Sequence, residues 1–155
     1  MPQIILATNK KLVLKNVLRR ELQNIEFDKL NDEINKFGIL LDKLSVQTFG
    51  PLVTKNGGVN INNEGTLTTD YDLLVQAHDY KQYKSSFEVI ERLEVLNCIY
   101  VRFEGNPDEV QFAHSKLDLY FYENDLESTD EIYSIMVEDS EHHSIIDIFR
   151  PVRIL

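Results

Sequence analysis

Twice along this 155-residue chain a run rich in β-branched and aromatic residues leads into a helical pattern, and two further strand-like runs follow. In the first instance "LVLKNVLRREL" (12–22) precedes residues 24–44, where Phe27, Leu30, Ile34, Phe37, Leu41 and Leu44 step by three and four and so share one helix face. Asn24 is placed to cap that helix, with Glu26 and Asp28 in its first turn, where the helix dipole favours acids. The strands "VQTFGPLVT" (46–54) and "DYDLLVQA" (70–77) complete the set. In the second instance "NCIYVRFEG" (97–105) precedes a helix opened by Asn106 as cap and Pro107 at the first helical position, with Asp108 and Glu109 behind them. Its buried stripe is Val110, Ala113, Leu117 and Tyr120 or Phe121, and "EIYSIMVE" (131–138) and "SIIDIFRPV" (144–152) close the half.

The same element order read twice predicts an α+β domain of two duplicated βαββ halves, about 1–77 and 86–155, joined by a polar crossover at 78–85. "QIILA" (3–7) and "FEVIERLEV" (87–95) extend the leading strands into hairpins, which brings the strand count to about eight. Spacing supports the repeat. Arg19 and Glu21 match Arg102 and Glu104 at an offset of 83, and Asp72 matches Asp147 at 75. The difference falls on the turn-rich loop 55–66, which is longer than its counterpart 139–143.

Sixteen basic residues against 26 acidic ones give a formal charge of −10, which opposes binding to nucleic acid or to an anionic membrane. In the densest basic stretch, Lys10, Lys11, Lys15, Arg19 and Arg20, two of the residues alternate with apolar ones as on one face of a strand, and the stretch reads as a solvated strand face. Cys98 is the single cysteine, so no disulfide forms within the chain, and its apolar run "VLNCIYV" marks it as core rather than nucleophile. The opening "MPQIILATNKK" is too short in apolar residues for a signal segment, and no stretch reaches the length of a membrane span. A cytoplasmic protein is the expectation.

Asp147 and Asp72 are acids set in otherwise apolar strands. Around Asp147, "FEVIERLEVLNCIYVRFEGNPDEV" and "IIDIFRPVRI" resemble the second-half hairpin, helix and closing strand of GyrI-like domains, the small-molecule-binding modules also found as effector-binding parts of multidrug-responsive transcription regulators. The resemblance spans nearly the whole chain in element order. It implies an antiparallel sheet of about eight strands with the two main helices on one shared face and a ligand groove between them. An acid rises there from the central strand toward cationic, lipophilic ligands, and Asp147 stands at its position, with Asp72 as its counterpart in the first half. Phe149 shares strand parity with Asp147, and Tyr71, Phe103, Phe112, Tyr120 and Tyr133 are the further candidates for an aromatic wall.

The chain also departs from the family. The Gly-Pro-Tyr turn that often follows the leading strand is replaced by "EGNPDE" and "ELQNIE", there is no tryptophan, and Asp stands where Glu is usual. No helix-turn-helix segment precedes the domain, so a complete regulator is not expected. Some relatives are hydrolases, and Asp147 with Tyr100 or Tyr133 could serve acid–base chemistry, but no motif defines that geometry and the reading is a binding domain rather than an enzyme. His142 and His143 read as a solvated hairpin tip, not a metal site, and "NGGVNINNEG" lacks the Lys-Ser or Lys-Thr of a phosphate loop, so no cofactor is expected. The partner read from these features is a small organic cation or lipophilic molecule. The alternative is an acidic interaction module, an adaptor, chaperone or inhibitor for a basic protein, whose groove is filled by side chains.

Overall fold

The computed structural model describes residues 2–153. It contains six strands, β1 (Gln3–Glu26), β2 (Thr48–Ile61), β3 (Leu67–Ala77), β4 (Glu88–Gly105), β5 (Ile132–Asp139) and β6 (Ser144–Pro151), and two α-helices, α1 (Leu30–Lys43) and α2 (Gln111–Glu123). The class is α+β, as read from the sequence. The strand count is six rather than about eight, because each leading hairpin is one long strand. Residues 3–26 and 88–104 contain neither Gly nor Pro, so no tight turn divides them. Bends are absorbed instead by single asparagines with positive φ, Asn9, Asn16 and Asn24 in β1 and Asn97 in β4. Asparagine tolerates the left-handed region, and a lone residue there bends a strand without ending it.

That device displaces the expected helix start. Asn24 lies at a register shift of β1, with its N–H donating to Asp70 Oδ1 at 3.0 Å, and caps nothing. The chain then makes a 3₁₀ turn at Phe27–Lys29 before α1 begins. Asn106 does act as a cap, its Oδ1 accepting the Asp108 N–H at 2.9 Å, but it caps a 3₁₀ turn at Pro107–Glu109, and α2 itself begins at Gln111 without a side-chain cap. The loop expected at 55–66 is shorter. β2 runs to Ile61, passing a shift near Gly58 (φ 108°), and only 62–66 turn, with Asn62 Oδ1 accepting from the Glu64 and Thr66 N–H groups.

Two compact units are present: Leu14–Leu93, and residues 94–153 together with 2–13. In the first, β3 lies between β1 and β2, antiparallel to both. Leu18, Leu73, Val75 and Ala77 form one sheet face, and α1 covers them with Phe37, flanked by Ile34, Leu40, Leu41 and Leu44. In the second, β6 lies between β4 and β5, again antiparallel to both. Ile99, Val101, Phe103, Ile146 and Ile148 meet Ala113, Leu117 and Phe121 of α2. Each fully buried Leu, Ile or Phe in these layers contributes about 1.5–3 kcal/mol of transfer free energy. Arg150 reinforces the second layer by lying over the Phe121 ring, 4.5 Å from its centroid, and pairing with Asp118 of α2.

Candidate ligand site

Side chains alternate across a strand, so the residues that bury Phe103, Val101 and Ile99 under α2 force Tyr100 and Arg102 to the opposite face of β4. The same alternation turns Ile146 and Ile148 of β6 toward α2 and Asp147 and Phe149 away from it. Register then aligns these outward residues in two rows. Tyr100, Phe149 and Tyr133 stand opposite one another across β4, β6 and β5; Arg102, Asp147 and Ile135 form the next row. An aromatic row thus lies beside a charged one, on the sheet face that α2 does not cover.

Asp147 is 9% exposed and bonded through both oxygens. Arg102 donates Nε–H to its Oδ1 at 2.8 Å and Nη2–H to its Oδ2 at 2.9 Å, a two-pronged pair, and the Tyr100 hydroxyl donates to Oδ1 at 2.6 Å. The Tyr100 and Phe149 rings meet edge to face with centroids 5.0 Å apart. Burial by itself would raise the Asp147 carboxyl, but the hydrogen bonds from Arg102 and Tyr100, with the charge of Arg102, hold it below the ordinary value. The Tyr100 hydroxyl is pushed up to about 12, first by burial and then by its bond to the Asp147 carboxylate.

Of the residues proposed from sequence, Asp147, Phe149 and Tyr133 come together, and the register brings Tyr100 and Arg102 to them. Phe103 lies on the opposite face, buried under α2. Tyr120 packs into that same helix-side layer, and Phe112 is on the exposed side of α2. Tyr71 belongs to the other unit, where it packs against the α1 layer. Arg102 was visible in the sequence only as a repeat marker. Its parity with Tyr100 is legible in "CIYVRF", but that it faces Asp147 depends on a cross-strand register that no local pattern carries.

The first unit holds a different arrangement. Asp72 stands opposite Glu21 on β1 and Lys55 on β2. Arg19, two residues from Glu21, gives Asp72 a single Nε–H bond at 3.0 Å and also reaches Glu21 at 3.2 Å and Glu88 at 3.1 Å. Burial raises the Asp72 carboxyl, and the charges of Arg19 and Lys55 do not fully offset it. The two sequence offsets therefore cannot hold together: matching Arg19 to Arg102 puts Leu74 at the place of Asp147, and matching the acids puts Glu21 at the place of Arg102. Nearby, residues 80–91 border an open groove of about 410 Å³ lined by Tyr80, Phe87 and Val89 with Lys81, Lys84, Glu88 and Glu91.

Elsewhere Cys98 is buried and its thiol is pushed up to about 11 by that burial, which suits an inert core residue. His142 is exposed at the 139–144 turn, and His143 lies 3.5 Å from Glu104 and 3.7 Å from Glu138. Among the described residues no three His, Cys, Asp or Glu side chains converge as metal ligands, and no helix is long and apolar enough to cross a membrane.

No family model and no curated protein matches the chain. Solved structures do. The EcmrR C-terminal domain superposes with a TM-score of 0.66 at 13% identity, over 100% of this chain and 99% of that one. EcmrR in a complex with DNA superposes at 0.63 and 13% identity, over 99% of this chain but 58% of that one, so the likeness is to part of that protein. SAV2435 bound to tetraphenylphosphonium superposes at 0.56 and 12% identity, over 97% and 94%. Because a protein that shares the fold sits on DNA, the expectation against nucleic acid rests on charge alone. At such identities the likeness is one of fold, and the fold of this chain is the GyrI-like one.

Proposed function

We propose that this chain is a small-molecule-binding domain that takes a lipophilic organic cation on the face formed by Tyr100, Phe149 and Tyr133, with Asp147 as counter-ion. The observation that carries the reading is the pairing of an ionised carboxylate, held below its ordinary pKa, with an adjacent row of aromatic rings. Rings supply area-proportional affinity and cation–π attraction, and the carboxylate supplies the charge. That SAV2435, a protein of the same fold, carries tetraphenylphosphonium supports this choice of ligand class. The test is calorimetric titration with tetraphenylphosphonium and with uncharged triphenylphosphine oxide. Wild type binds the cation, and Asp147→Asn binds it at least about tenfold more weakly, a change of about 1.4 kcal/mol, while the neutral compound is unaffected. Equal binding of the cation by both proteins would exclude Asp147 as counter-ion.

A second reading, an acidic interaction module for a basic partner, draws support from α2. Phe112, Leu119 and Tyr122 are exposed on its outer side, Tyr122 at 83%, within a stretch 106–127 that holds six acids and a single lysine. An apolar stripe bordered by acids suits an amphipathic basic segment.

A further inference from the structure

Resting on the ligand reading above, we infer that Arg102 is the resident cation of this site and sets a lipophilicity threshold that any ligand must exceed. The carboxylate of Asp147 is buried, whereas the Arg102 side chain that covers it is 45% exposed, so the guanidinium sits on the solvent side of the acid. Its two prongs take one lone pair on each oxygen and the Tyr100 hydroxyl takes the second on Oδ1, which leaves a single lone pair, on Oδ2, so an arriving cation meets an acid whose charge is already paired unless Arg102 moves. Tyr100 does not need to move, because its bond to Oδ1 is compatible with a cation at the place of the guanidinium.

Displacement is physically accessible. Arg102 extends from a strand on a flexible stem, is already half hydrated, and meets the one carboxylate of Asp147. A compact hydrated cation would gain from Asp147 only about what Arg102 loses, and would surrender its own hydration as well. A bulky lipophilic cation gains in addition the burial of its surface against the half-buried Tyr100, Phe149 and Ile135, with Tyr133 already buried behind them. Arg102 therefore discriminates by apolar area rather than by charge. Arg19 is not a parallel case: it is shared by Asp72, Glu21 and Glu88, and its side chain is only 23% exposed.

The decisive experiment titrates tetraphenylphosphonium and tetramethylammonium into wild type, Arg102→Gln, Asp147→Asn and the double variant at neutral pH, with circular dichroism verifying that each is folded. Arg102→Gln is expected to bind tetraphenylphosphonium at least about tenfold more tightly than wild type and to bring tetramethylammonium into the measurable millimolar range. Adding Asp147→Asn abolishes both gains. Unchanged or weaker binding by Arg102→Gln, with wild type still binding and Asp147→Asn impaired, would overturn the threshold and leave the ligand reading standing. Absence of binding in wild type and in every variant would overturn both.

Discussion

Asp72 and Asp147 are both buried acids on central strands, both face away from the helix of their own unit, and both meet an arginine from the neighbouring strand. Their protonation equilibria nevertheless move in opposite directions. The cause is a two-residue difference in register. Asp147 is directly opposite Arg102, so the guanidinium fork reaches both oxygens, and Tyr100 adds a third bond. Asp72 is directly opposite Glu21, a like charge, and Arg19 lies two residues further along on the same face, dividing its donors among three carboxylates. A displacement of two residues along a strand keeps every side chain on its face while changing which charge it meets. Burial is common to the two acids, and geometry decides which is stabilised as the anion.

The sharpest way to break this comparison is to remove the charge from Asp147. Asp147→Asn is expected to lower unfolding stability by about 2 kcal/mol at neutral pH in urea titrations, less than a buried pair would lose because Arg102 can turn to water. Its pH dependence has a definite sign. The folded-state pKa of Asp147 lies below the unfolded value, so the contribution is fully present above the unfolded pKa and is lost as pH falls through the folded one. The gap between wild type and variant should therefore close in acid, and a gap that persists at low pH would assign the loss to packing instead.

A smaller effect is expected from Tyr100→Phe, which removes one hydrogen bond and costs about 1 kcal/mol. Carboxyl-carbon NMR titration should show Asp147 moving upward toward its ordinary value while Asp72 stays in place. The smallest effect belongs to Asp72→Asn, expected within about 0.5 kcal/mol of wild type at neutral pH, because Arg19 keeps Glu21 and Glu88. Here the folded pKa is raised, so ionised Asp72 costs stability above that pKa and the cost vanishes as pH falls below the unfolded value. Wild type should gain on this variant in acid, the reverse of the Asp147 case. A matching loss for the two acids would show the registers to be equivalent.

Much of the architecture was readable along the chain because its determinants are local. The three-and-four spacing from Leu30 to Leu44 describes the face that α1 buries, and Asn106 with Pro107 announces the approach to α2. Asn24 misled because the same residue type serves as a helix cap and as a left-handed bulge, and only the continuing strand pairing separates the two. The long leading strands misled similarly, since the absence of Gly and Pro was a signal that outweighs any apparent break in pattern.

The sequence by itself determined the α+β class, the two helices, and an acid at Asp147 with Phe149 on its side of the strand, since alternation and helical periodicity depend only on near neighbours. Tertiary structure alone decided that Asp147 faces away from α2, that Tyr133 joins it and Phe103 does not, and that Arg102 rather than open space meets the carboxylate. Those outcomes follow from cross-strand register, which is set by the packing of whole faces against the helices and by the bulges that shift one strand past another. No single segment encodes either.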